Sequence, residues 1–318
     1  MKRSLILVLF STAFIIACGA NKSVIKNNVS GGDAEAKFIS EECCVKSEEV
    51  YKNFAEAANR IEKLFEQNNA DAQYKLGIRY YTGDGVEKNH SESVKWFRKA
   101  AEQGHAEAQY NLGVCYAKGD GIEKSLSESL KWIKKAVEQG NADAQHALGI
   151  YYYYGNGVEK NLTEAVKWFR KAAEQGQESA QFNLGICYYK GEGVGKSLAE
   201  SAKWYKKAAE QGNAEAQYNL GVCYEKGEGV DKNLAEAAKW YRKVAEQGDA
   251  NAQRNLGLYY IQEKRDNVIG YAWIFLSVKN GLEDTTSKLA ELEKQMDKGE
   301  IERAKKLAEE YSKGNFDK

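Results

Sequence analysis

The sequence predicts an all-α protein, an α/α solenoid (superhelix) of antiparallel helix pairs built on 36-residue repeats. Three observations carry this prediction. The pair Leu-Gly recurs at Leu76-Gly77, Leu112-Gly113, Leu148-Gly149, Leu184-Gly185, Leu220-Gly221 and Leu256-Gly257, with 36 residues between each and the next. Tryptophan keeps the same interval at Trp96, Trp132, Trp168, Trp204 and Trp240, and then comes early, as Trp273, after 33. No proline interrupts the 318 residues, and many of the 29 glycines return at fixed places in the unit. Self-similarity at a fixed period is the mark of a stack in which each unit buries its neighbour's apolar face.

Composition narrows the function. Lys+Arg and Asp+Glu both count 46, so the formal net charge is zero. That balance argues against nucleic acid and against a polybasic membrane-binding surface, each of which calls for excess positive charge. With 43% hydrophobic and 29% charged residues, the chain has enough apolar surface for a core. Three histidines and six cysteines are few for a metal or nucleophile constellation.

Taken in order, the chain opens on Lys2 and Arg3 and an apolar run from Leu5 to Ile16. Twelve residues are short for a span, which needs about twenty. The run closes on Ile15-Ile16-Ala17-Cys18, which resembles the bacterial lipobox. That resemblance implies a lipoprotein signal peptide over 1–17 and a lipid anchor on Cys18. It further implies a bacterial envelope location, with Gly19 fitting outer-membrane sorting. An ordinary secretory signal followed by a chance cysteine is the alternative. Residues 18–46 carry no sustained apolar period and read as a flexible tether. Cys43 and Cys44 close the tether, either as two unconstrained thiols or as an intermolecular disulfide in an oxidising compartment. Segment 47–68 reads as a lone, degenerate second helix: Asn53-Phe54-Ala55-Glu56-Ala57-Ala58 aligns with Asn233-Leu234-Ala235-Glu236-Ala237-Ala238, and Arg60 stands where tryptophan would be.

Residues 69–281 hold six units of two helices each. Helix A, as in Ala214 to Tyr224, places Ala, Gln, Leu and Tyr at helical spacings. It runs into a Gly-x-Gly loop, Gly83-Asp84-Gly85 being the first and Gly227-Glu228-Gly229 the fifth. Helix B carries Lys-Trp-aromatic at its centre and stops at Gly104, Gly140, Gly176, Gly212, Gly248 and Gly281, the position of a left-handed C-terminal glycine. The Leu-Gly glycine lies inside helix A, where it costs about 1 kcal/mol relative to Ala. Close approach of helix B at that point would compensate. In the last unit the Gly-x-Gly loop is missing between Tyr260 and Tyr271. Residues 282–318 read as two capping helices broken near Gly299, with Leu289, Leu292 and Met296 on the first, and Ile301, Ala304, Ala308 and Tyr311 on the second.

The pattern Ala-x-Ala-Gln-x-x-Leu-Gly-x-x-Tyr…Gly-x-Gly-Val…Lys-Trp-aromatic-x-Lys-Ala-Ala-Glu-Gln-Gly resembles the Sel-1-like repeat (SLR), a relative of the tetratricopeptide repeat. The resemblance covers about 69–281. It implies a right-handed superhelix with helix A lining the concave face, and a role in holding protein assemblies together. Directly after the helix-A glutamine stand Tyr74, Tyr110, His146, Phe182, Tyr218 and Arg254. The next position holds Lys75, Asn111, Ala147, Asn183, Asn219 and Asn255. In tetratricopeptide domains the equivalent positions face the groove. Carried over, the resemblance implies a ladder of aromatics beside a ladder of amides that binds a protein or peptide partner, the rings supplying area and the amides pairing with main chain. The competing reading is that both ladders serve inter-repeat packing. Lys118, Tyr154, Lys190, Lys226 and Ile261, at the helix-A end, are weaker candidates.

Cys115, Cys187 and Cys223 share one position in the unit. Neighbouring copies should stand about 8–10 Å apart, too far for a disulfide, and are expected to stay reduced in the core. A cysteine-rich SLR branch bridges helix A to helix B with two cysteines per repeat and has been linked to β-lactam binding or hydrolysis. Helix B here has none, so that framework is absent. No Cys-x-x-Cys or His-Glu-x-x-His spacing occurs, no serine or cysteine is joined to a histidine by a motif, and the Gly-x-Gly loops follow a helix and not a strand. Glu102-Gln103 and its copies read as helix-B surface or inter-repeat contacts. The expectation is therefore no enzyme, no cofactor, no metal and no nucleic acid. Two alternatives to the peptide scaffold are a β-lactamase-like hydrolase and a peptidoglycan-associated structural organiser.

Overall fold

A computed structural model describes residues 69–316. Fourteen α-helices make up these residues, and no strand occurs among them. Five complete repeats pair a helix A with a helix B: α1 (Ala70–Thr82) with α2 (His90–Glu102), α3 (Ala106–Lys118) with α4 (Leu126–Glu138), α5 (Ala142–Tyr154) with α6 (Leu162–Glu174), α7 (Glu178–Lys190) with α8 (Leu198–Glu210), and α9 (Ala214–Lys226) with α10 (Leu234–Ala245). The sixth pairs α11 (Ala250–Tyr259) with α12 (Asn267–Lys279), after which α13 (Thr286–Glu293) and α14 (Lys298–Ser312) follow. Residues 1–68, and with them Cys18, Cys43, Cys44 and Arg60, lie outside the described residues.

The sequence starts and stops these helices by side chain. Each helix B of the five regular repeats begins on an Asn or Ser, namely Asn89, Ser125, Asn161, Ser197 and Asn233, whose oxygen accepts the backbone N–H three residues on. The same capping residue donates its own N–H to a carbonyl near the end of helix A, as Ser197 does to Tyr188 at 2.9 Å. The loop is thereby closed on itself. At the other end Gln181 and its copies at 73, 109, 145, 217 and 253 are buried polar residues at one place in helix A. In the fourth repeat the Gln181 amide donates to the Ala173 carbonyl of the preceding helix B at 3.1 Å, and its oxygen accepts from Gln211 of its own helix B at 2.8 Å. Gln103, Gln139 and Gln175 repeat that second bond, to Gln73, Gln109 and Gln145. The glutamine closing helix B is therefore exposed, as a surface residue of helix B, and a clamp within its own repeat; its bonds are not the inter-repeat contacts that were the other expectation.

The helix-A glycine of every unit, and the second loop glycine at Gly121, Gly193 and Gly229, are required by packing. A Cβ on Gly185 would lie 2.6 Å from the Tyr205 ring, so the close approach of helix B expected from the sequence is present. A Cβ on Gly193, whose φ is +70°, would lie 2.1 Å from the Leu162 carbonyl oxygen of the preceding repeat. The Gly-x-Gly loop thus rests on the start of the helix B before it. Along helix B, Lys99, Lys135, Lys171, Lys207 and Lys243 each hold their ammonium 4.2–4.5 Å from the centre of the indole three residues earlier.

The last repeat departs from the others. Where the Gly-x-Gly loop is missing, Tyr260–Lys264 form a π-helical turn, and Arg265 takes the left-handed conformation at φ 52°. The break between the capping helices, expected near Gly299, falls at Lys294–Asp297, and Gly299 itself sits in the first turn of α14. Asp297 fixes that break: its side chain accepts from Glu300 N, and Glu300 returns a bond to Asp297 N. Leu289, Leu292 and Met296 with Ala304, Ala308 and Tyr311 are buried, and Ile301 is half-buried.

Candidate functional site

The ladder residues Tyr74, Tyr110, His146, Phe182, Tyr218 and Arg254 are all half-buried, one on each successive helix A, and so are Asn111, Asn183, Asn219 and Asn255. What holds each ring is the residue after the helix-B tryptophan, the same residue that covers the helix-A glycine. Tyr74 leans on Phe97 with centroids 5.9 Å apart, His146 on Phe169 at 5.7 Å, Phe182 on Tyr205 at 5.8 Å and Tyr218 on Tyr241 at 5.6 Å. Tyr110 has Ile133 at that place and no ring beneath it. Tyr74 also stacks on His105, centroids 4.7 Å apart, whose Nδ1 caps α3 through Ala108 N.

The two ladders are joined, but between repeats. Asn111 Nδ2 donates to the Tyr74 hydroxyl at 3.2 Å, Asn183 meets His146 Nε2 at 2.8 Å, and Asn255 donates to the Tyr218 hydroxyl at 3.4 Å. Each amide of these three reaches back to the ring of the preceding repeat. Burial pushes the His146 imidazole down to about 4, with Asp143 opposing, so the ring is neutral and its Nε2 accepts from Asn183. Two rungs stay open. Tyr110 faces Ala147, and its hydroxyl has no hydrogen-bond partner among the described residues; burial raises its pKa, which keeps it protonated. Asn219 follows Phe182, which has no polar atom to receive it, and the Asn219 amide is likewise without a partner among the described residues. Arg254 closes the row, held to Asp284 at 3.5 Å and to the Asn255 side-chain oxygen at 3.3 Å.

Of the weaker candidates, Lys118, Lys190 and Lys226 are exposed at helix-A ends. Tyr154 is 67% exposed, the one large hydrophobic residue so placed among those described. Ile261 instead packs half-buried against the core of the last repeat. Sequence reasoning missed a second row of contacts at the same end. Tyr81 donates to Asp120 at 2.9 Å and Tyr153 to Glu192 at 2.5 Å, each tying a helix-A end to the next repeat's Gly-x-Gly loop. The carboxylate partner raises the Tyr81 hydroxyl to about 12. A tyrosine followed 39 residues later by an acid was the available signal.

Cys115, Cys187 and Cys223 are free thiols, buried, and burial pushes each up to about 11. At neutral pH they are protonated and poor nucleophiles. Among the described residues no group of three or more His, Cys, Asp or Glu gathers as a metal site would require, and no helix is long and apolar enough to cross a membrane.

A family model described as Sel1 repeat matches residues 70–105, 106–141, 142–177, 178–213, 214–249 and 250–281. Among solved structures the chain is similar to a protective antigen present in uropathogenic Escherichia coli strains displaying an SLR fold, with 31% identity and a TM-score of 0.71. That match covers 92% of this chain but only 63% of the other. It is also similar to a Sel1 repeat protein from Oxalobacter formigenes, with 35% identity, a TM-score of 0.58, and coverage of 73% of this chain and 95% of that one. No curated protein matches.

Proposed function

The chain belongs to the Sel1 repeat family, and we propose on that ground that it is an envelope scaffold that binds an extended protein or peptide segment along the concave, helix-A face. Proteins of this repeat are generally protein-interaction scaffolds and mostly not enzymes. A lipid on Cys18 would hold the protein at a bacterial membrane, with the tether over 18–46 giving reach.

The observation that carries the reading is the pair of open rungs. A hydroxyl and an amide that bond no other side chain, each on a half-buried residue and open to solvent, sit in a row whose neighbours are paired across repeats. Such groups can exchange water for a ligand's hydrogen bonds without breaking any bond within the stack. Rings already supported from below give contact area at small entropic cost. Asn111 and Asn183 keep their side-chain oxygens for a ligand while their amide hydrogens fix the rotamer.

The test compares full-length wild type with a Tyr110→Phe/Asn219→Ala variant in a quantitative crosslinking pull-down from envelope extract. Both changes leave every inter-repeat bond of the ladder intact, so helicity by circular dichroism should not change. A partner bound through this face should be recovered about tenfold less by the variant, as loss of two hydrogen bonds implies. Equal recovery would remove binding from this face.

A further inference from the structure

We infer that the solenoid has a built-in seam between its second and third repeats, where α4 and α5 part before any other neighbouring pair. This goes beyond the binding reading and does not depend on it.

The seam shows by comparison with its neighbours. Four side-chain hydrogen bonds cross from the first repeat to the second: Asn111 to Tyr74 at 3.2 Å, Tyr81 to Asp120 at 2.9 Å, Arg98 to Tyr116 at 2.9 Å, and Gln109 to the Ala101 carbonyl at 3.1 Å. The same four recur from the third to the fourth: Asn183 with His146 at 2.8 Å, Tyr153 to Glu192 at 2.5 Å, Arg170 to Tyr188 at 2.6 Å, and Gln181 to the Ala173 carbonyl at 3.1 Å. From the second to the third, none of the four exists. The sequence removes three of them outright, placing Ala147 opposite Tyr110, Ala117 and Asn156 where the tyrosine and acid would be, and Lys134 in place of arginine. Gln145 keeps its place but makes no bond to the Val137 carbonyl. Apart from the cap of α5 itself, one side-chain bond crosses, between the Ser129 and Tyr151 hydroxyls at 2.5 Å.

Apolar packing thins at the same place. The core between α4 and α5 gathers four buried apolar residues, Ile133, Ala136, Ala144 and Leu148, with Tyr151 also buried at the place the other three interfaces give to cysteine. The corresponding cores hold nine at the first interface, ten at the third and seven at the fourth. Leu130, Tyr152 and Trp168 are only half-buried where Val94, Tyr116 and Trp132 are buried. The fourth interface keeps one of the four, Gln217 to Ala209 at 3.1 Å, beside Asn213 to Glu178 at 2.9 Å. The ladder bond, the Tyr189–Glu228 bond and, with Lys206 for arginine, the bond to Tyr224 are missing there too, so its larger apolar core is what sets it apart from the seam. In a linear stack, stability sums over repeats and nearest-neighbour interfaces, so the weakest interface sets where partial opening begins and ends. Helices α1–α4 and α5–α14 are then two cooperative blocks.

Native-state hydrogen exchange of the full chain, followed by mass spectrometry through rising urea, reads this directly. Amides of α1–α4 should exchange together, about tenfold or more faster than those of α7–α12, with the change between α4 and α5. A variant carrying Ala117→Tyr, Lys134→Arg, Ala147→Asn and Asn156→Asp rebuilds the missing bonds and should merge the two exchange profiles. The opposite variant, Tyr153→Phe, Arg170→Lys and Asn183→Ala, should open a second break between α6 and α7 and leave the first in place. A single profile across α1–α12 in the wild type overturns the seam. So does a break at any other interface, or fraying that frees α1 and α2 ahead of α3 and α4.

Discussion

His146 sits in a row of tyrosines and a phenylalanine, and its burial has a cost that depends on pH. The folded ring titrates at about 4, the free imidazole near 6.5. Between those values the unfolded chain binds a proton that the folded chain refuses, so stability rises with pH across the window. Its contribution is complete above about 6.5 and is lost as pH falls toward 4. Carboxylates also titrate at the low end, so the useful quantity is a difference. Between pH 7 and pH 5 the urea midpoint should fall further for the wild type than for His146→Phe, which copies Phe182 of the next repeat. Parallel curves would show that this ring is not the source. Glycine makes the second residue-scale argument. A methyl at Gly176 meets nothing within 4 Å and carries only the strain of a φ of +92°, about 1–2 kcal/mol. One at Gly193 carries similar strain and also strikes the Leu162 carbonyl, a backbone atom that cannot turn aside. Gly193→Ala should therefore lower the urea midpoint well beyond Gly176→Ala, and equal midpoints would mean that the loop does not rest on the preceding helix.

At the scale of the helix, what the sequence discloses depends on how far apart the interacting residues stand. The glycines that end the helices were legible because Gly176, for example, and the helix it ends are neighbours in the chain. The close contact at Gly185 was legible too, because a glycine inside a helix needs a reason and the repeat offers helix B as the nearest one. The Asn ladder was not. In the sequence Asn183 follows Phe182 and reads as its companion, yet its bond runs 37 residues back to His146. That register is a property of how two repeats stack, and no spacing within one unit encodes it. The glutamine pairing was hidden for the same reason: Gln181 is constant in the pattern, but its acceptor and donor lie on two different helices. A deletion is harder still. The missing loop after Tyr260 was visible as three absent residues, while the π-helical turn that absorbs them follows from where Gly270 lets Ile261 approach, 2.4 Å from the place of its absent Cβ.

Across the whole molecule the stack is one-dimensional, so a change at one end should be felt by its neighbours and not by the far repeats. The C-terminal end offers a sharp case. Tyr311 stacks on Trp273 with centroids 4.6 Å apart, Phe316 lies on the same indole at 6.0 Å, and Arg242 of the fifth repeat donates to the Phe316 carbonyl at 3.0 Å. The last helix thus covers the apolar end of α12 and reaches back to α10, closing the largest of the interface cores, with twelve buried residues. Tyr311→Ala removes a buried ring from that core and should cost about 3 kcal/mol. The loss should be local. Exchange of amides in α10, α11, α12 and α14 should accelerate by about two orders of magnitude, while those of α1–α4 keep their wild-type rates because the deciding interface for them lies at α4 and α5. Acceleration spread evenly from α1 to α14 would mean that the repeats open as a single unit, and both the local cap and the seam would have to be abandoned together.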